Sequence, residues 1–443
     1  CKRHLAALGL RNATAYALRN ATAYALRDRT RSADASAENP RRGFFDGLKC
    51  GCFRTAAQLF KENAMIYLDY AASAPVSAAA MAAAAPFFTE CFANPASIHA
   101  PGRKAALAVM AARGQCAAAL GASPEEIFFT SGGTESDNWA VFSAAARDPR
   151  RRHIVTSAIE HPAVLSACAE LERRGCEITR ILPDSEGLIS PQDVERALRP
   201  DTALCTIMAA NNEVGTLQPV DEIAALCNAH GVLFHTDAVQ AAGNIPLDLR
   251  ELRADMLTLS AHKLGGFKGS GLLFIRRGTE LPPYIYGGGQ QHGMRSGTEN
   301  VPAVCALGAA LEEAARDIPK KAAQTAEVRN ALTERLSRIP RAHLNGSRER
   351  RLCGNVNFSF EGVEGESLVL NLDIAGVCAS SASACAGGTG ARSHVLRAMG
   401  LDGERLRGSL RLSLSHATTM REALSAAEIT AKCVERLRAL TEG

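Results

Sequence analysis

From residue 65 onwards, short apolar runs alternate with amphipathic helical stretches, and this alternation constrains the fold more than any other feature of the chain. Strands that are separated by helices cannot pair as tight hairpins, so they favour a mostly parallel sheet with helices on both faces. Helical patterns such as 191–198 and 220–230 lie between the strands. The predicted strands are 127–129, 154–157, 204–209, 232–236, 256–259 and 271–275. The sequence therefore predicts an α/β fold.

The pattern changes near residue 302, where helices at 304–318 and 323–339 lead into a mixed segment that ends in a helix at 420–441. We therefore expect a large domain over 65–315 and a smaller α+β domain over 316–443. We leave open whether the first strand, within 65–75, joins the smaller domain.

The first 64 residues differ from the rest of the chain. The octapeptide RNATAYAL occurs at 11–18 and again at 19–26, in a segment rich in Arg and poor in acidic residues. Two interpretations fit this composition: an organellar transit peptide, or an extension that is disordered or not part of the functional protein. We expect the second, because Met65 opens a clean strand pattern.

Composition narrows the class of protein. The chain has 443 residues and is 47% hydrophobic, which allows a large buried core and argues against intrinsic disorder. A net charge of +4 is too small to suggest direct nucleic-acid binding. The 14 cysteines are scattered without zinc-like spacing, so we expect no metal site and a reducing, cytoplasmic environment. No apolar run reaches the roughly 20 residues of a membrane span.

A Ser/Gly turn, TSGGTESDN at 130–138, follows a predicted strand and opens a helix. Glycines allow close backbone approach, and the free amides of a helix N-terminus bind anions such as phosphate. A simple helix cap fits the turn equally well. Neither the P-loop pattern nor an early G-x-G-x-x-G occurs, which argues against the common nucleotide-binding folds.

Two further strand ends carry ionisable residues. Asp237 lies in HTDAVQ at 235–240, and Lys263 lies in SAHKLGG at 260–266, between an apolar strand and a glycine-rich turn. A lysine in such a poorly solvated place is suited to form a Schiff base. A phosphate cradle, an acid and a lysine on successive strand ends together indicate a pyridoxal phosphate site.

Seven motifs occur in one order: TSGGTESDN, EHPAV, NNEVG, HTDAVQ, SAHKLGG, GGGQQHGMRSGTEN and SASAC. From about residue 66 to the C-terminus the chain resembles the cysteine desulfurases, which belong to the class V aminotransferase-like branch of fold-type-I pyridoxal phosphate enzymes. The resemblance implies conversion of L-cysteine to L-alanine, with the sulfur passed on as a persulfide. The last motif resembles the group that serves iron–sulfur assembly and nitrogen fixation. The family resemblance further implies a homodimer and a sulfur-acceptor or scaffold partner.

The resemblance also implies roles for residues that match the motifs. Lys263 would bind the cofactor aldehyde covalently and later move protons. Asp237 would keep the pyridine nitrogen protonated, and His161 would stack on the ring. Thr298 would reach the phosphate of the neighbouring subunit. The remaining cofactor ligands would be Gly133, Thr134, Ser260 and His262 for the phosphate, and Asn212 and Gln240 for the phenolic oxygen.

For the substrate, the resemblance implies that Arg411 pairs with the cysteine carboxylate, beside Asn212. Cys385 would be the thiol that takes the sulfur, and it could contact an iron–sulfur cluster during transfer. Cys378, the competing thiol, reads as a core residue of a strand. The glycine-rich stretch after Cys385 departs from the family pattern and leaves the sulfur acceptor open.

Two alternatives remain beside the desulfurase. The first is a selenocysteine lyase or another pyridoxal phosphate β-lyase, which can eliminate its leaving group without an enzyme thiol. The second is a non-catalytic scaffold for sulfur transfer, against which the presence of Lys263, Asp237 and Cys385 together argues.

Overall fold

A seven-stranded sheet organises the computed structural model, which describes residues 65–381 and 392–441. Its strands run in the order β2-β8-β7-β6-β5-β3-β4. The strands of the described residues are β1 (Ile66–Tyr67), β2 (Ile127–Thr130), β3 (His153–Ser157), β4 (Glu177–Ile181), β5 (Thr202–Thr206), β6 (Leu233–Asp237), β7 (Met256–Ser260), β8 (Gly271–Ile275), β9 (Ala342–Leu344), β10 (Asn355–Phe360), β11 (Val377–Cys378) and β12 (Ser409–Ser413).

The helices connect the strands and cover the sheet. They are α1 (Ala78–Ala84), α2 (Pro86–Thr89), α3 (Ala100–Leu120), α4 (Gly133–Arg147), α5 (Pro162–Arg173), α6 (Pro191–Ala197), α7 (Val220–Ala229), α8 (Val301–Ala315), α9 (Ile318–Ser337), α10 (Gly365–Ile374), α11 (His394–Ala398), α12 (Gly403–Arg407) and α13 (Met420–Thr441).

Strand direction confirms the predicted mostly parallel α/β sheet. Strands β4, β3, β5, β6 and β7 pair in parallel, whereas β8 pairs antiparallel with both β7 and β2. The exception follows from the connection, because only residues 261–270 separate β7 from β8. A parallel crossover needs a dozen or more residues.

Alternate side chains of the strands enter two separate apolar clusters. Phe129 of β2 and Phe234 of β6 pack on one face with helices that include α3 and α7. Phe128 and Leu233 pack on the other face with Trp139 of α4 and residues of α5. Since successive strand residues point to opposite faces, helices therefore cover both faces of the sheet, as the sequence predicts.

A second, antiparallel sheet has the order β12-β10-β9. The first strand, β1, pairs in parallel with β11, and Asp69 forms an isolated bridge to Ser413 of β12. Leu68 accordingly packs with the apolar side chains of this second sheet. The domain boundary at 315/316 stays a prediction, and some later side chains pack with the main sheet: Leu352, Val395, Leu396, Met399, Leu401 and Leu406.

Two sequence predictions differ from the structure. The break between the long helices falls at Arg316 and Asp317, earlier than expected, and Asp317 has a φ of 52°. Strand β4 was missed because it is an edge strand of mixed polarity, EITRI, in which only Ile181 is buried.

Within the described residues, no helix combines the length and the apolarity that a membrane crossing requires. The same residues bring together no group of three or more His, Cys, Asp or Glu side chains that could hold a metal ion. The predictions for residues 1–64 and for Cys385 lie outside the described residues.

Candidate active site

Several of the predicted site residues lie just after the ends of strands in the main sheet. Strands β2, β3, β6 and β7 point the same way and end at Thr130, Ser157, Asp237 and Ser260. In open α/β sheets the crevice outside the carboxyl ends of the strands is the usual ligand site. The segments that follow these strands carry Gly133, His161, Gln240 and Lys263.

Lys263 closes a 3-10 turn, Ala261–Lys263, directly after β7. Its Nζ donates hydrogen bonds to the carbonyl oxygens of Ala71 at 2.5 Å and Ala72 at 2.8 Å. The Gln240 side-chain amide donates to the same Ala71 oxygen at 3.1 Å. The loop between β1 and α1 thus brings Lys263 and Gln240 to one point.

His262 is partly buried beside the same loop. Its carbonyl oxygen accepts a hydrogen bond from the Ala74 amide at 2.9 Å, and its Nδ1 lies 3.5 Å from Ser73 Oγ. Burial, together with the charges of Lys263 and Lys268, lowers the pKa of His262 to about 4. Its ring is therefore neutral at neutral pH.

Asp237 ends β6 with its side chain buried. One carboxylate oxygen accepts a hydrogen bond from the Val239 amide at 2.9 Å. Burial raises the pKa of Asp237 to about 6, while this hydrogen bond and the Lys263 charge work in the opposite direction. The carboxyl group is therefore mostly ionised at neutral pH, in buried surroundings that contain the Lys263 charge.

His161 occupies the N-cap of α5, where its Nδ1 accepts a hydrogen bond from the Ala163 amide at 3.1 Å. Burial, together with the charges of Lys263 and His394, lowers the pKa of His161 to about 4. An unprotonated Nδ1 is what this hydrogen bond requires. The His161 ring is consequently uncharged at neutral pH.

The Ser/Gly turn between β2 and α4 is closely packed. Gly132 has a φ of 151°, which side-chain-bearing residues rarely adopt. A Cβ on Gly133 would lie 3.1 Å from Val239 Cγ2 and 3.5 Å from Ser260 Cβ. Gly133 and Ser260 therefore lie next to each other, while Thr134 is exposed at the start of α4.

The ion pair of Arg295 with Glu135 stabilises the Ser/Gly turn between β2 and α4. The Arg295 guanidinium binds both carboxylate oxygens of Glu135, at 2.7 and 3.1 Å, and the Ser131 amide donates to Glu135 at 2.9 Å. Burial alone would raise the pKa of Glu135, but these hydrogen bonds bring it below its usual value. Glu135 thus stays ionised and fixes the turn.

Arg411, in β12, is buried and points towards the same region. Its Nη2 donates to Asp69 Oδ1 at 2.9 Å, and its Nη1 donates to the Asn212 carbonyl oxygen at 3.1 Å. Arg411 Nε has no hydrogen-bond partner among the described residues. The guanidinium is therefore held in one place and retains unused donor capacity.

Three predicted residues stand apart. Thr298 is exposed in the segment before α8, and Cys385 lies outside the described residues. Cys378 is half-buried rather than a core residue, since it pairs with Tyr67 at the edge of the β1–β11 ladder. Burial, with the charges of Asp373 and Asp69, raises the pKa of the Cys378 thiol.

Sequence reasoning missed three acidic residues. Asp69 binds Arg411, Glu213 binds Ser393, and Glu160, which precedes His161, is fully buried. Glu160 and Glu213 stand within the motifs EHPAV and NNEVG, so acidic residues beside apolar strand ends were the available signal. Nothing in the local sequence pairs Asp69 with Arg411.

The residues present fit pyridoxal phosphate, judged by the chemistry of the donors. Lys263 offers an amine for the aldehyde, and the buried, ionised Asp237 offers the partner that a protonated pyridine nitrogen needs. The turn at Gly132 and Gly133 opens a helix N-terminus beside the Ser260 hydroxyl, which suits a phosphate.

Comparison with known proteins agrees with this geometry. The sequence model of the class V aminotransferase family matches residues 66–424. Cysteine desulfurase IscS of Methanosarcina thermophila is 45% identical over 378 residues, which make up 85% of this chain and 94% of the relative. Cysteine desulfurase 2 of Trichormus variabilis is 45% identical over 380 residues, 85% of this chain and 95% of the relative.

Solved structures give the same result. A NifS-like protein superposes with a TM-score of 0.80 at 35% identity, covering 84% of this chain and all of the other. SspA in complex with cysteine gives 0.71 at 37% identity, covering 80% and 99%. The chain therefore belongs to the class V aminotransferase family of pyridoxal phosphate enzymes, among the cysteine desulfurases.

Proposed function

We propose that this enzyme removes sulfur from L-cysteine, releases L-alanine and keeps the sulfur as a persulfide on Cys385. The observation that carries the proposal is that Lys263, Asp237 and His161 converge at one edge of the sheet, with the Arg411 guanidinium beside Asn212. Cysteine desulfurase relatives that align over 85% of the chain support the same reaction.

Each residue of this group has a role that follows from its chemistry. Pyridoxal phosphate supplies an electron sink for the bound amino acid. The ionised Asp237 would hold the proton on the pyridine nitrogen. The neutral ring of His161 would stack on the cofactor without adding a second positive charge. The Lys263 amine would remove the proton from the substrate Cα and return it to the product.

The phosphate and the phenolic oxygen need separate donors. The Gly133 and Thr134 amides, with Ser260 and His262, would bind the phosphate at the start of α4. Asn212 and Gln240 would bind the phenolic oxygen, and the contact of Gln240 with Ala71 keeps it near Lys263. Thr298 would complete the phosphate site of a neighbouring subunit, for which its exposure leaves it accessible.

Arg411 would bind the substrate carboxylate. A guanidinium presents its donors in a planar fork that matches a carboxylate. Burial makes that contact stronger than at the surface, and Asp69 and Asn212 hold the fork in place. This arrangement would align the substrate Cα with Lys263.

The sulfur step balances without an external oxidant. The Cys385 thiolate attacks the substrate sulfur, the Cβ–S bond breaks as the S–S bond forms, and its electron pair takes up a proton at Cβ. L-cysteine and one enzyme thiol thus give L-alanine and one enzyme persulfide. The acceptor would be an iron–sulfur scaffold or another sulfur-acceptor protein, and Cys385 would contact a nascent cluster in that complex.

The proposed reaction is tested by incubating the full-length holoenzyme with L-cysteine and a thiol reductant, then measuring alanine and sulfide together. Equal amounts of both products are expected. Alanine from selenocysteine alone would instead favour the lyase, and no product from either substrate would support the scaffold. A Cys385→Ser variant should keep the cofactor and lose sulfide release.

A homodimer in the cytoplasm is part of the proposal. Several exposed apolar side chains concentrate in one stretch of sequence around α1 to α3, which is typical of a surface covered by a partner. They are Val76, Met81, Phe88, Phe92, Ile98, Leu107 and Met110. Sedimentation equilibrium should give twice the chain mass, and Phe92→Asp with Leu107→Asp should weaken the association.

Residues 1–64 are proposed to be dispensable for the reaction, with residues 65–315 and 316–443 forming the large and small domains. The strands of the described residues, from β1 at Ile66 onwards, account for both sheets described above and for the β1–β11 pair. A chain of residues 65–443 is expected to turn over L-cysteine at the full-length rate.

A further inference from the structure

A buried carboxylate ties helix α11 to the candidate active site. Glu213 is 4% exposed, and its Oε2 accepts the Ser393 hydroxyl at 2.5 Å. Ser393 is the N-cap of α11, where its Oγ also accepts the Leu396 amide at 3.0 Å. One hydroxyl therefore joins Glu213 to the first turn of the helix.

The next residue forms a second tie. His394 Nε2 lies 2.9 Å from the carbonyl oxygen of Glu160. Glu160 precedes His161, the residue proposed to stack on the cofactor, and Glu213 follows Asn212, whose carbonyl oxygen holds Arg411. The start of α11 is thus fixed to the two loops that carry the cofactor-stacking and substrate-binding residues.

Glu213 is itself held firmly. Its amide donates to Asn211 Oδ1 at 2.9 Å. Its carbonyl oxygen accepts from the side-chain amides of Asn355 at 3.2 Å and Asn357 at 3.1 Å, both on β10. Glu213, which holds the start of α11, is therefore itself fixed by the loop after β5 and by strand β10.

A structural cap alone does not account for this carboxylate. A serine caps a helix through its own oxygen, as Ser190 does on α6 without a buried acid. Burying a carboxyl group is costly, and burial raises the pKa of Glu213 to about 7, against the Ser393 hydrogen bond and the Arg411 charge. Such a cost is typical of a functional position.

We propose that Glu213 is a positioning residue for the sulfur-transfer step, which acts through Ser393 by fixing where α11 begins relative to Arg411 and His161. The inference rests on the proposed function. Ser393 lies eight residues after Cys385, so at roughly 3.4 Å per residue its position limits how far the thiol can reach. Loosening Ser393 would lower the effective concentration of the thiol at the substrate sulfur.

The test compares Glu213→Ala, Glu213→Gln and Ser393→Ala with Ser190→Ala, the matched loss of an N-cap serine far from the site, all in the full-length holoenzyme. Glu213→Ala and Ser393→Ala are expected to lower kcat for sulfide release at least tenfold, with KM for L-cysteine within twofold of wild type. Glu213→Gln retains an acceptor for Ser393 and should lose less. Ser190→Ala should keep full activity.

Hydrogen exchange of residues 394–398 gives a readout that does not depend on turnover. Faster exchange there in Glu213→Gln, with exchange in α6 unchanged, is expected above pH 7, where Glu213 is ionised and the neutral amide is the weaker acceptor. Unchanged exchange, a rise in KM at constant kcat, or kcat values equal to that of Ser190→Ala would overturn the inference. A wild-type enzyme without desulfurase activity would refute the proposed function instead. The exchange experiment would still show whether the Glu213–Ser393 hydrogen bond holds the start of α11.

Discussion

The amine of Lys263 points at the backbone of the first loop, where the carbonyl oxygens of Ala71 and Ala72 accept its hydrogen bonds. This contact holds the amine at the strand ends, beside His161 and Asp237, whose pKa values respond to its charge. Lys268, five residues later, is exposed in the following glycine-rich turn. The Lys263 amine is thus held by backbone carbonyl oxygens at the strand ends, whereas Lys268 is exposed to solvent.

Lys263→Ala should abolish both the visible absorption band of the lysine-bound cofactor and all turnover, because no other amine replaces the one that condenses with the aldehyde. Lys268→Ala is the matched control and should retain the band and the activity. Absorbance spectra and alanine release of the two variants check this prediction. A yellow, active Lys263→Ala enzyme would contradict it.

Arg411→Lys tests the geometry of the carboxylate site. Lysine keeps the charge but lacks the planar fork, and it cannot hold Asp69, the Asn212 carbonyl and a substrate carboxylate together. Loss of one charge-assisted hydrogen bond is worth about 1.5–3 kcal/mol, so KM for L-cysteine should rise roughly 10- to 100-fold. Steady-state kinetics measure the effect, with the exposed Arg397→Lys as control; equal KM values would refute the assignment.

The sequence could predict Lys263 and Asp237 because both are polar residues at the ends of apolar strands, a local pattern. It could not predict that Asp69 pairs with Arg411, because 342 residues separate them and only the docking of β1 beside β12 brings them together. The same reason hid the contact of Glu213 with Ser393, 180 residues apart.

Helix α4 begins at a turn that only small residues can form. Gly133→Ala would place a methyl group 3.1 Å from Val239 Cγ2 and 3.5 Å from Ser260 Cβ, so Val239 or the start of the helix has to move by a few tenths of an ångström. We expect this movement to disturb the amides that would bind the phosphate. Cofactor affinity should fall about tenfold or more, while the fold persists. Equilibrium dialysis of the apoenzyme against pyridoxal phosphate measures the change.

Gly114 in α3 offers the matched control, since a Cβ there meets no atom within 4 Å. Alanine in a helix is favoured over glycine by about 0.5–1 kcal/mol, so Gly114→Ala should stabilise the protein slightly and leave cofactor affinity unchanged. Equal affinities of the two variants would show that the turn at Gly133 does not hold the phosphate.

Most elements were predictable from local pattern, and the failures have physical causes. Strands β2, β3, β6, β7 and β8 are buried at every residue, and the apolar and β-branched residues that this burial favours make them easy to recognise. Strand β4 has a partner on one side only and keeps charged residues. Its sequence therefore lacks the periodicity on which a prediction depends.

Buried ionisable groups make the stability of the whole protein depend on pH. Glu160 accepts hydrogen bonds from Ser157 Oγ at 2.5 Å and from the Met208 amide at 2.9 Å, both on Oε1. Burial raises the pKa of Glu160 to about 8, against these hydrogen bonds, and the Asp237 charge adds to the rise. In the unfolded chain a glutamate has a pKa of about 4.3. The folded protein therefore retains a proton that the unfolded chain releases.

The direction in which stability changes with pH follows from this difference between the folded and unfolded pKa of Glu160. Because the folded pKa is raised, the stabilisation from protonated Glu160 is fully present below about pH 4.3 and is lost as the pH rises towards 8. Glu160→Gln carries no titrating proton and preserves an oxygen for Ser157 and Met208. His161 and His235, whose lowered pKa values act in the opposite direction, are shared by both proteins and cancel in the difference.

The free energy of unfolding of Glu160→Gln, relative to wild type, should therefore increase from pH 5 to pH 8, by at most ~1.4 kcal/mol per pH unit. Urea unfolding at four pH values across this interval measures it. Glu428→Gln, at an exposed position on α13, should follow the wild-type pH profile. Parallel profiles for Glu160→Gln and wild type would mean that the Glu160 side chain is already ionised in the folded protein. The contact of His394 with the Glu160 carbonyl oxygen would then lie next to a negative charge and not next to a neutral acid.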